Sequence, residues 1–95
     1  MTRIIWAPAA LDDLEALRNY IAEHDPRAAQ RIVDRIVKAV ETLRRTPEIG
    51  RPGRVLGARE LVITSTPYIV PYRVFGERLQ ILRVYHGARR WPDRF

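Results

Sequence analysis

The sequence predicts an α+β domain, in which a helical hairpin packs on one face of a mostly antiparallel sheet. Two observations carry this prediction. Apolar residues recur every three to four positions between residues 8 and 45, which is the period of a helix, and short β-branched and aromatic runs follow from residue 59 onward. The predicted order is β-α-α-β-β-β. Since 95 residues allow one core, residues 1–95 are expected to form a single domain.

The first half of the chain contains a short strand and two helices. Residues 3–6 are β-branched or aromatic, which is typical of a strand. A helix is predicted for residues 8–23, because Pro8 suits a first helical position and leucines follow at helical spacing. Asp25 is a good N-cap and Pro26 again suits the first position, so a second helix is predicted over residues 26–45, before Pro47. The short connection makes the two helices antiparallel.

A loop and three strands are predicted for the second half of the chain. Glycine and proline predict a loop over residues 48–57, and strands are predicted for residues 59–64, 68–75 and 78–85, followed by a basic tail, 86–95. The two-residue Gly76-Glu77 turn is the strongest hairpin signal, and it predicts that Phe75 faces Arg78. Pro71 inside a strand indicates an edge position or a bulge.

This register sorts the hairpin into two faces, which a slip of one residue would reverse. The more apolar face is expected to meet the helices, and it contains Tyr68, Val70, Tyr72, Val74, Leu79, Ile81, Arg83 and Tyr85. The opposite face is predicted to contain Ile69, Pro71, Arg73, Phe75, Arg78, Gln80, Leu82, Val84 and His86, with Arg59 nearby.

The charge is unevenly distributed along the chain. Seventeen cations, sixteen of them arginine, stand against eleven anions, for a net charge of +6. Residues 48–95 hold nine cations and four anions, so almost all of the excess lies there. Such asymmetry points to an anionic partner, either nucleic acid or an acidic protein segment.

Several classes of function are excluded by composition. The absence of cysteine excludes disulfides, thiolate zinc sites and cysteine nucleophiles, and two distant histidines do not make a metal site. We therefore expect no metal and no cofactor. No apolar run approaches the ~20 residues that span a bilayer, and the N-terminus lacks a secretory signal, so a cytoplasmic protein without a membrane partner is expected.

The candidate functional residues each have a structural alternative. His86 has the side chain for proton transfer near neutral pH, or it caps a strand end. Arg73 and Arg83 bind an anionic group or form salt bridges within the sheet. Arg51 and Arg54 clasp phosphate or are solvated loop charges. The run Arg89-Arg90-Trp91 combines charge with a stacking surface, as in single-strand and protein binders, or Trp91 folds back over the sheet.

Seven blocks in register resemble the RelE/ParE superfamily of type II toxins over nearly the whole chain: Trp6–Leu14, Tyr20–Ala22, Asp25–Ala29, Pro47–Arg54, Arg59–Leu61, Thr66–Arg73 and Ile81–Arg89. The resemblance implies the RelE/ParE fold and a toxin of the plasmid-stabilisation type, neutralised by a cognate antitoxin with an acidic segment. It also implies that operator DNA is bound only through the complex with the antitoxin.

Within the superfamily, Tyr72-Arg73-Val74 and Ile81–His86 look more like ParE-type members, which poison DNA gyrase, than like RelE-type mRNA interferases that act on the ribosome. Ile69 stands where the interferases generally carry a basic residue. The resemblance therefore favours a gyrase inhibitor that is no enzyme; the alternatives are an interferase, or a non-toxic orphan binding module. The interferase alternative would use Arg73, Arg83, His86 and Arg89. Binding to target or antitoxin would use Arg51, Arg54, Arg59, Arg73, Arg78, Arg89, Arg90 and Trp91.

Overall fold

The two predicted helices form an antiparallel hairpin in the computed structural model, which describes residues 2–95. Helix α1 spans Pro8–Ala22 and helix α2 spans Pro26–Glu41, each with proline in its first turn. The Asp25 carboxylate caps α2 by accepting hydrogen bonds from the backbone N–H groups of Arg27 (3.1 Å) and Ala28 (3.0 Å). The predicted helical stretch to residue 45 ends instead in a 3-10 turn, Thr42–Arg44.

Residues 2–95 contain six strands, Arg3–Trp6 (β1), Arg51–Pro52 (β2), Arg59–Val62 (β3), Tyr68–Phe75 (β4), Arg78–Ile81 (β5) and Tyr85–His86 (β6). They form one mixed sheet with the order β1-β5-β4-β3-β2, and the short β6 also pairs with β4. The β1–β5 pair is parallel and every other pair is antiparallel, which confirms the predicted fold class. Strand β2 lies inside the predicted loop.

The β4–β5 hairpin has the predicted register. Phe75 pairs with Arg78 and Arg73 pairs with Gln80. Gly76 has a φ of 58°, a left-handed conformation that glycine adopts with little strain. Strand β3 ends two residues before the predicted position, because Ile63 accepts the turn hydrogen bond from Thr66 and Ser65 takes up a φ of 63°.

The predicted strand 78–85 is interrupted by a bulge. The Leu82 N–H donates to the Pro71 carbonyl (3.0 Å), but proline has no N–H to return a bond, so the ladder is not completed there. When pairing resumes, Tyr68 faces His86 and Ile69 faces Tyr85, which is one residue out of step with the β4–β5 register. Of the two features that Pro71 indicated, an edge position or a bulge, the structure has the bulge. Pro71 itself lies in the central strand β4, and the extra residue is in the strand opposite.

Because of this extra residue, three predicted faces are wrong. Val84 joins the main core beneath the helices, whereas it was expected on the opposite face. Tyr85 lies opposite Ile69 on the face away from the helices, and His86 lies opposite Tyr68 on the helix side. A shift of one residue reverses every side chain beyond it, since side chains alternate along a strand.

The main core lies between the helical hairpin and the sheet. Its largest members include Ile36 from α2, Leu43 from the 3-10 turn and Tyr72, Leu79 and Ile81 from the sheet, all without measurable exposure. A second, smaller cluster on the opposite face contains Val55, Ala58 and Leu82, with Phe95 packed against it. Across residues 2–95, neither helix has the length and apolar character needed to span a bilayer.

Candidate functional site

The candidate site residues lie mostly on the outer face of the sheet, which points away from the helices. This face divides into two parts. One part is overlaid by the C-terminal tail, and we call it the covered half; it contains Leu82, Tyr85, Trp91 and Phe95 with the arginines around them. The other part has no such cover, and we call it the open patch; it contains Arg3, Ile5, Arg73, Phe75, Arg78 and Gln80.

Glu60 organises the arginines at one border of the covered half. It lies in β3 and its exposed fraction is 2%. Its Oε1 accepts from Nε (3.1 Å) and Nη2 (3.0 Å) of Arg51, and its Oε2 accepts from the backbone N–H (2.8 Å) and Nε (3.2 Å) of Arg54. Burial acts to raise the pKa of Glu60, but these four hydrogen bonds outweigh it and hold the pKa below its ordinary value. Arg51 and Arg54 therefore share one internal counter-ion.

The C-terminal tail packs on Tyr85 through rings and guanidinium groups. The ring centroids of Tyr85 and Trp91 are 4.9 Å apart in an edge-to-face arrangement, and Phe95 lies 6.3 Å from Tyr85. The Arg54 Cζ lies 3.8 Å from the centroid of Trp91, and the Arg89 Cζ lies 4.8 Å from that of Tyr85. Two roles were considered for Trp91, and in the structure its side chain folds back over the sheet.

Arg83 ties the bulge to α1. Its Nε and Nη2 donate to the two carboxylate oxygens of Asp13, at 2.7 and 2.9 Å, and the backbone N–H of Val84 donates to Oδ2 at 2.9 Å. The hydrogen bond to Asp13 raises the pKa of the Arg83 guanidinium, against the effect of burial. The same guanidinium lies 4.8 Å from the Tyr85 ring centroid. Arg83 is thus engaged in a bidentate salt bridge, but its partner lies on α1 and not within the sheet, where the salt-bridge alternative had placed it.

Arg59 also has internal partners, although they are carbonyl groups. Its Nη1 donates to the backbone oxygens of Glu48 (3.2 Å) and Gly50 (2.9 Å). The prediction that Arg59 lies near the opposite face is not met, because Arg59 pairs with Tyr72, whose side chain is in the helix-side core. The Tyr72 hydroxyl completes this corner by accepting from the Gly50 N–H at 2.9 Å and donating to the Pro47 carbonyl at 2.8 Å.

His86 does not meet Arg73. Its ring packs edge-to-face on Tyr68, with centroids 5.8 Å apart, and its Nδ1 accepts from the Ala88 N–H at 3.1 Å. Tyr68 and Arg73 lie five residues apart along β4, about 16 Å at the rise of a strand, and an odd spacing places them on opposite faces. The four residues of the interferase alternative therefore do not converge. In residues 2–95, no three His, Asp or Glu side chains are grouped closely enough to hold a metal ion.

The open patch contains three arginines on three neighbouring strands. Arg3 of β1 pairs with Arg78 of β5, and Arg78 pairs with Phe75 of β4; in the next row, Ile5, Gln80 and Arg73 are aligned. Within the described part of the chain, none of the three arginines has a carboxylate within salt-bridge distance. Phe75 and Ile5 are 55% and 39% exposed. Arg73 and Arg78 are both predicted site residues; Arg73 is half-buried and Arg78 is exposed. Arg90, another predicted residue, is exposed at the rim of the covered half.

Sequence reasoning missed three residues that belong to this surface or pair with its arginines. Arg3 was not a candidate, because nothing in the sequence indicates that β1 lies parallel to β5. Asp13 lies 70 positions before Arg83, and such a pair carries no local signal. Glu60 did leave one, since it is a lone carboxylate within the apolar strand of residues 59–64 and follows two loop arginines.

Sequence comparisons agree on a family. Residues 4–91 match the family model described as "ParE toxin of type II toxin-antitoxin system, parDE". The chain is 46% identical over 91 residues to the protein Y4kP of Sinorhizobium fredii, and the alignment covers 96% of this chain and 94% of that protein. It is also 39% identical over 89 residues to Toxin RelE2 of Caulobacter vibrioides, covering 94% and 99% of the two chains.

Two solved structures of toxin proteins are similar to this chain. A chain from the structure titled "Chromosomal ParDE TA system from P. aeruginosa" superposes with a TM-score of 0.82 at 34% identity, covering 90% of this chain and 96% of that chain. The "YoeB/ParE toxin from Agrobacterium tumefaciens" has a TM-score of 0.59 at 22% identity, covering 90% and 98%, which is a likeness of fold.

Proposed function

The chain belongs to the ParE family of toxins of type II toxin-antitoxin systems, and from that premise we propose that it inhibits DNA gyrase by binding rather than by catalysis. A toxin of this class has a cognate antitoxin as its partner. We further propose that the toxin acts in the cytoplasm, where gyrase works, and that operator DNA is contacted only by the complex with the antitoxin.

The observation that supports binding over catalysis is the separation of the candidate catalytic groups. A nuclease needs an acid or base and a cation within reach of one phosphate. Here the His86 ring packs on Tyr68 at the helix side, while Arg73 lies on the outer face, five residues further along β4, which is about 16 Å of backbone. The Nε–Nη2 edge of the Arg83 guanidinium already donates to both carboxylate oxygens of Asp13. A surface of this kind is suited to contacting a macromolecule.

The proposal is tested on purified protein with two parallel assays. We expect the chain to inhibit supercoiling of relaxed plasmid by DNA gyrase, and to leave mRNA intact in a translating extract. In cells, induction of the chain without an antitoxin should trigger the DNA-damage response before any loss of mRNA. Rapid cleavage of translated mRNA with gyrase unaffected would replace this proposal with the interferase.

One observation favours the interferase as the second candidate. The guanidinium groups of Arg83 and Arg89 both lie 4.8 Å from the Tyr85 ring centroid, so two of the four interferase candidates are close together, as a pair of cations that engages one phosphate would be. His86→Ala separates the two functions, with His24→Ala as its matched control. The interferase would lose activity by about a hundredfold or more with His86→Ala. A gyrase inhibitor that works by binding would keep its activity in both variants.

A further inference from the structure

The solvent-facing side of helix α2 carries a row of exposed cations, which we call the α2 stripe. Its members are Arg27, Arg31, Arg35 and Lys38. Their side chains fall within an arc of about 80° around the helix axis, opposite the side that holds the buried Ile36. The three arginines are about one turn, or about 6 Å along the axis, apart. Helix α2 therefore presents positive charge to solvent at nearly regular intervals.

The two carboxylates on the same side of α2 have partners outside the stripe. Asp34 accepts a hydrogen bond from the Gln30 side chain at 2.8 Å. Glu41 accepts from Nε and Nη2 of Arg44 at 2.6 and 3.2 Å, so its charge is offset by that arginine. In residues 2–95, none of the four stripe cations has a carboxylate within salt-bridge distance. Four cations then stand against one remaining carboxylate, a net charge of +3 on this side of the helix.

The surroundings of the α2 stripe favour a phosphate backbone over a protein as the partner. The one large hydrophobic side chain exposed on α2 is that of Val37, at 39%. A specific protein interface needs an apolar centre, which this side of the helix does not offer, whereas interfaces with DNA are polar and positively charged. An open groove of about 950 Å³ also lies along α2, and Arg31, Arg35 and Lys38 are among the residues that line it. An extended backbone has room to lie there.

We propose that the α2 stripe binds the phosphate backbone of duplex DNA, and that in the inhibited complex it contacts the DNA that gyrase holds. The role at gyrase rests on the proposed function; the binding of DNA does not. Contacts to three or four phosphates are weak at physiological salt and carry no sequence information, so recognition of the operator stays with the antitoxin complex. The contact adds affinity where a protein target holds DNA beside the toxin, because the effective concentration is then high.

The first test measures DNA binding by the chain alone. A short fluorescent duplex of arbitrary sequence is titrated at several salt concentrations. Arg31→Gln with Lys38→Gln should weaken binding by about tenfold and reduce the slope of log affinity against log salt by about 2, because each lost phosphate contact removes about 0.9. Arg18→Gln with Arg94→Gln is the matched control, since both arginines are exposed and the net charge is the same. It should change the slope by less than about 0.5.

Three results would overturn the inference. An equal loss of affinity in the control variant would indicate a diffuse effect of net charge. An unchanged affinity in the α2 variant would place the DNA contact elsewhere. Tighter binding of a glutamate-rich peptide than of the duplex, lost in the α2 variant, would make the stripe a protein-docking site. Thermal melting checks folding, and glutamine is a good helix former. If the α2 variant does not fold, Arg27→Gln with Lys38→Gln replaces it.

The second test measures the role at gyrase. Inhibition of supercoiling by purified gyrase is followed with the same two variants. We expect the concentration of the α2 variant that gives half-inhibition to rise by about fivefold or more, and that of the control to change by less than about twofold; the difference should narrow as salt increases. An α2 variant that has lost DNA binding but inhibits like the wild type would contradict the role at gyrase. A wild-type chain that does not inhibit gyrase would refute the proposed function and leave the DNA measurement standing.

Discussion

The two halves of the outer sheet face use the same side chain for opposite purposes. In the covered half, Arg51 and Arg54 bind Glu60, Arg83 binds Asp13, and Arg54 stacks on Trp91. In the open patch, Arg3, Arg73 and Arg78 adjoin one another without an internal carboxylate in the described residues. The number of arginines in a sequence therefore overstates the charge that is available to a partner.

The difference has a structural origin. The covered half contains the parts of the chain that lack regular pairing, namely the loop after β2, the bulge after β5 and the tail. Each of them is held by a guanidinium group, whose planar fork satisfies a carboxylate with two hydrogen bonds or stacks on a ring. The open patch lies on regularly paired strands, which need no such support. The comparison predicts that substitutions in the covered half reduce stability, and that those in the open patch do not.

The largest effect is expected for Glu60→Gln. The amide cannot accept the four charge-assisted hydrogen bonds of the carboxylate, and the loop that carries Arg51 and Arg54 loses its anchor. We expect a loss of about 3 kcal/mol in the free energy of unfolding, measured by urea denaturation at neutral pH. Glu77→Gln, at an exposed turn, is the matched control, with a change below about 0.5 kcal/mol. Equal losses in both variants would show that Glu60 has no special role.

The same carboxylate gives stability a defined dependence on pH. Its pKa in the folded protein lies below the value of about 4.3 in an unfolded chain. The contribution of Glu60 is therefore complete above the unfolded pKa, and it is lost as the pH falls through the folded pKa. We expect the stability difference between wild type and Glu60→Gln to be constant from neutral pH to about pH 5 and to shrink below about pH 4. A difference that is unchanged in acid would contradict this account.

The next largest effect is expected for Asp13→Asn. Asp13 accepts three hydrogen bonds from Arg83 and Val84, which link α1 to the bulge. The amide keeps at most part of them, and we expect a loss of about 2 kcal/mol in the free energy of unfolding. The neighbouring Asp12 is exposed, and Asp12→Asn should change stability by less than about 0.5 kcal/mol. Similar melting curves for the two variants would show that the hydrogen bonds of Asp13 do not stabilise the bulge.

The sheet register could be predicted from the sequence up to the bulge and not beyond it. The Gly76-Glu77 turn fixed the register of β4 and β5 correctly, because a two-residue loop leaves little freedom, and both helices follow from local spacing and capping. Beyond Pro71 the same alternation failed. Proline indicated that a ladder bond would be missing, but not how many residues the opposite strand would insert, so Val84, Tyr85 and His86 were assigned to the wrong faces.

The candidate site was predictable only as a set of residue types. Arg73 and Arg78 follow from the hairpin register, and their shared face was correctly predicted. The pairing of Arg83 with Asp13 and the parallel pairing of β1 with β5 join residues more than 65 positions apart, and they depend on how helices and sheet pack. Which arginines are neutralised is therefore a property of the tertiary structure.

A smaller effect is expected for Trp91→Ala, which tests what holds the tail on the covered half. The variant loses the ring contact with Tyr85 and the stacking with Arg54, and we expect a loss of about 1 kcal/mol in the free energy of unfolding. Trp91→Phe is the control. The Trp91 Nε1 is buried without a hydrogen-bond partner, so phenylalanine keeps the ring without an unsatisfied donor and should recover most of the stability. A phenylalanine variant as unstable as alanine would contradict this.

The smallest effect, and the one of opposite sign, is expected for Arg73→Gln with Arg78→Gln in the open patch. Glutamine keeps much of the aliphatic length of arginine while the repulsion with Arg3 is removed, so the free energy of unfolding should rise by about 0.3 kcal/mol at low salt. The gain should fade as the ionic strength increases, because exposed charges are screened over about 10 Å at 0.1 M salt. Arg83→Gln is the matched control from the covered half, and it should destabilise, because it leaves Asp13 without its cation. Urea denaturation of the three proteins at two salt concentrations checks both signs. A loss of stability in the open-patch variant would show that its arginines have internal partners after all, and the distinction between the two halves would then fail.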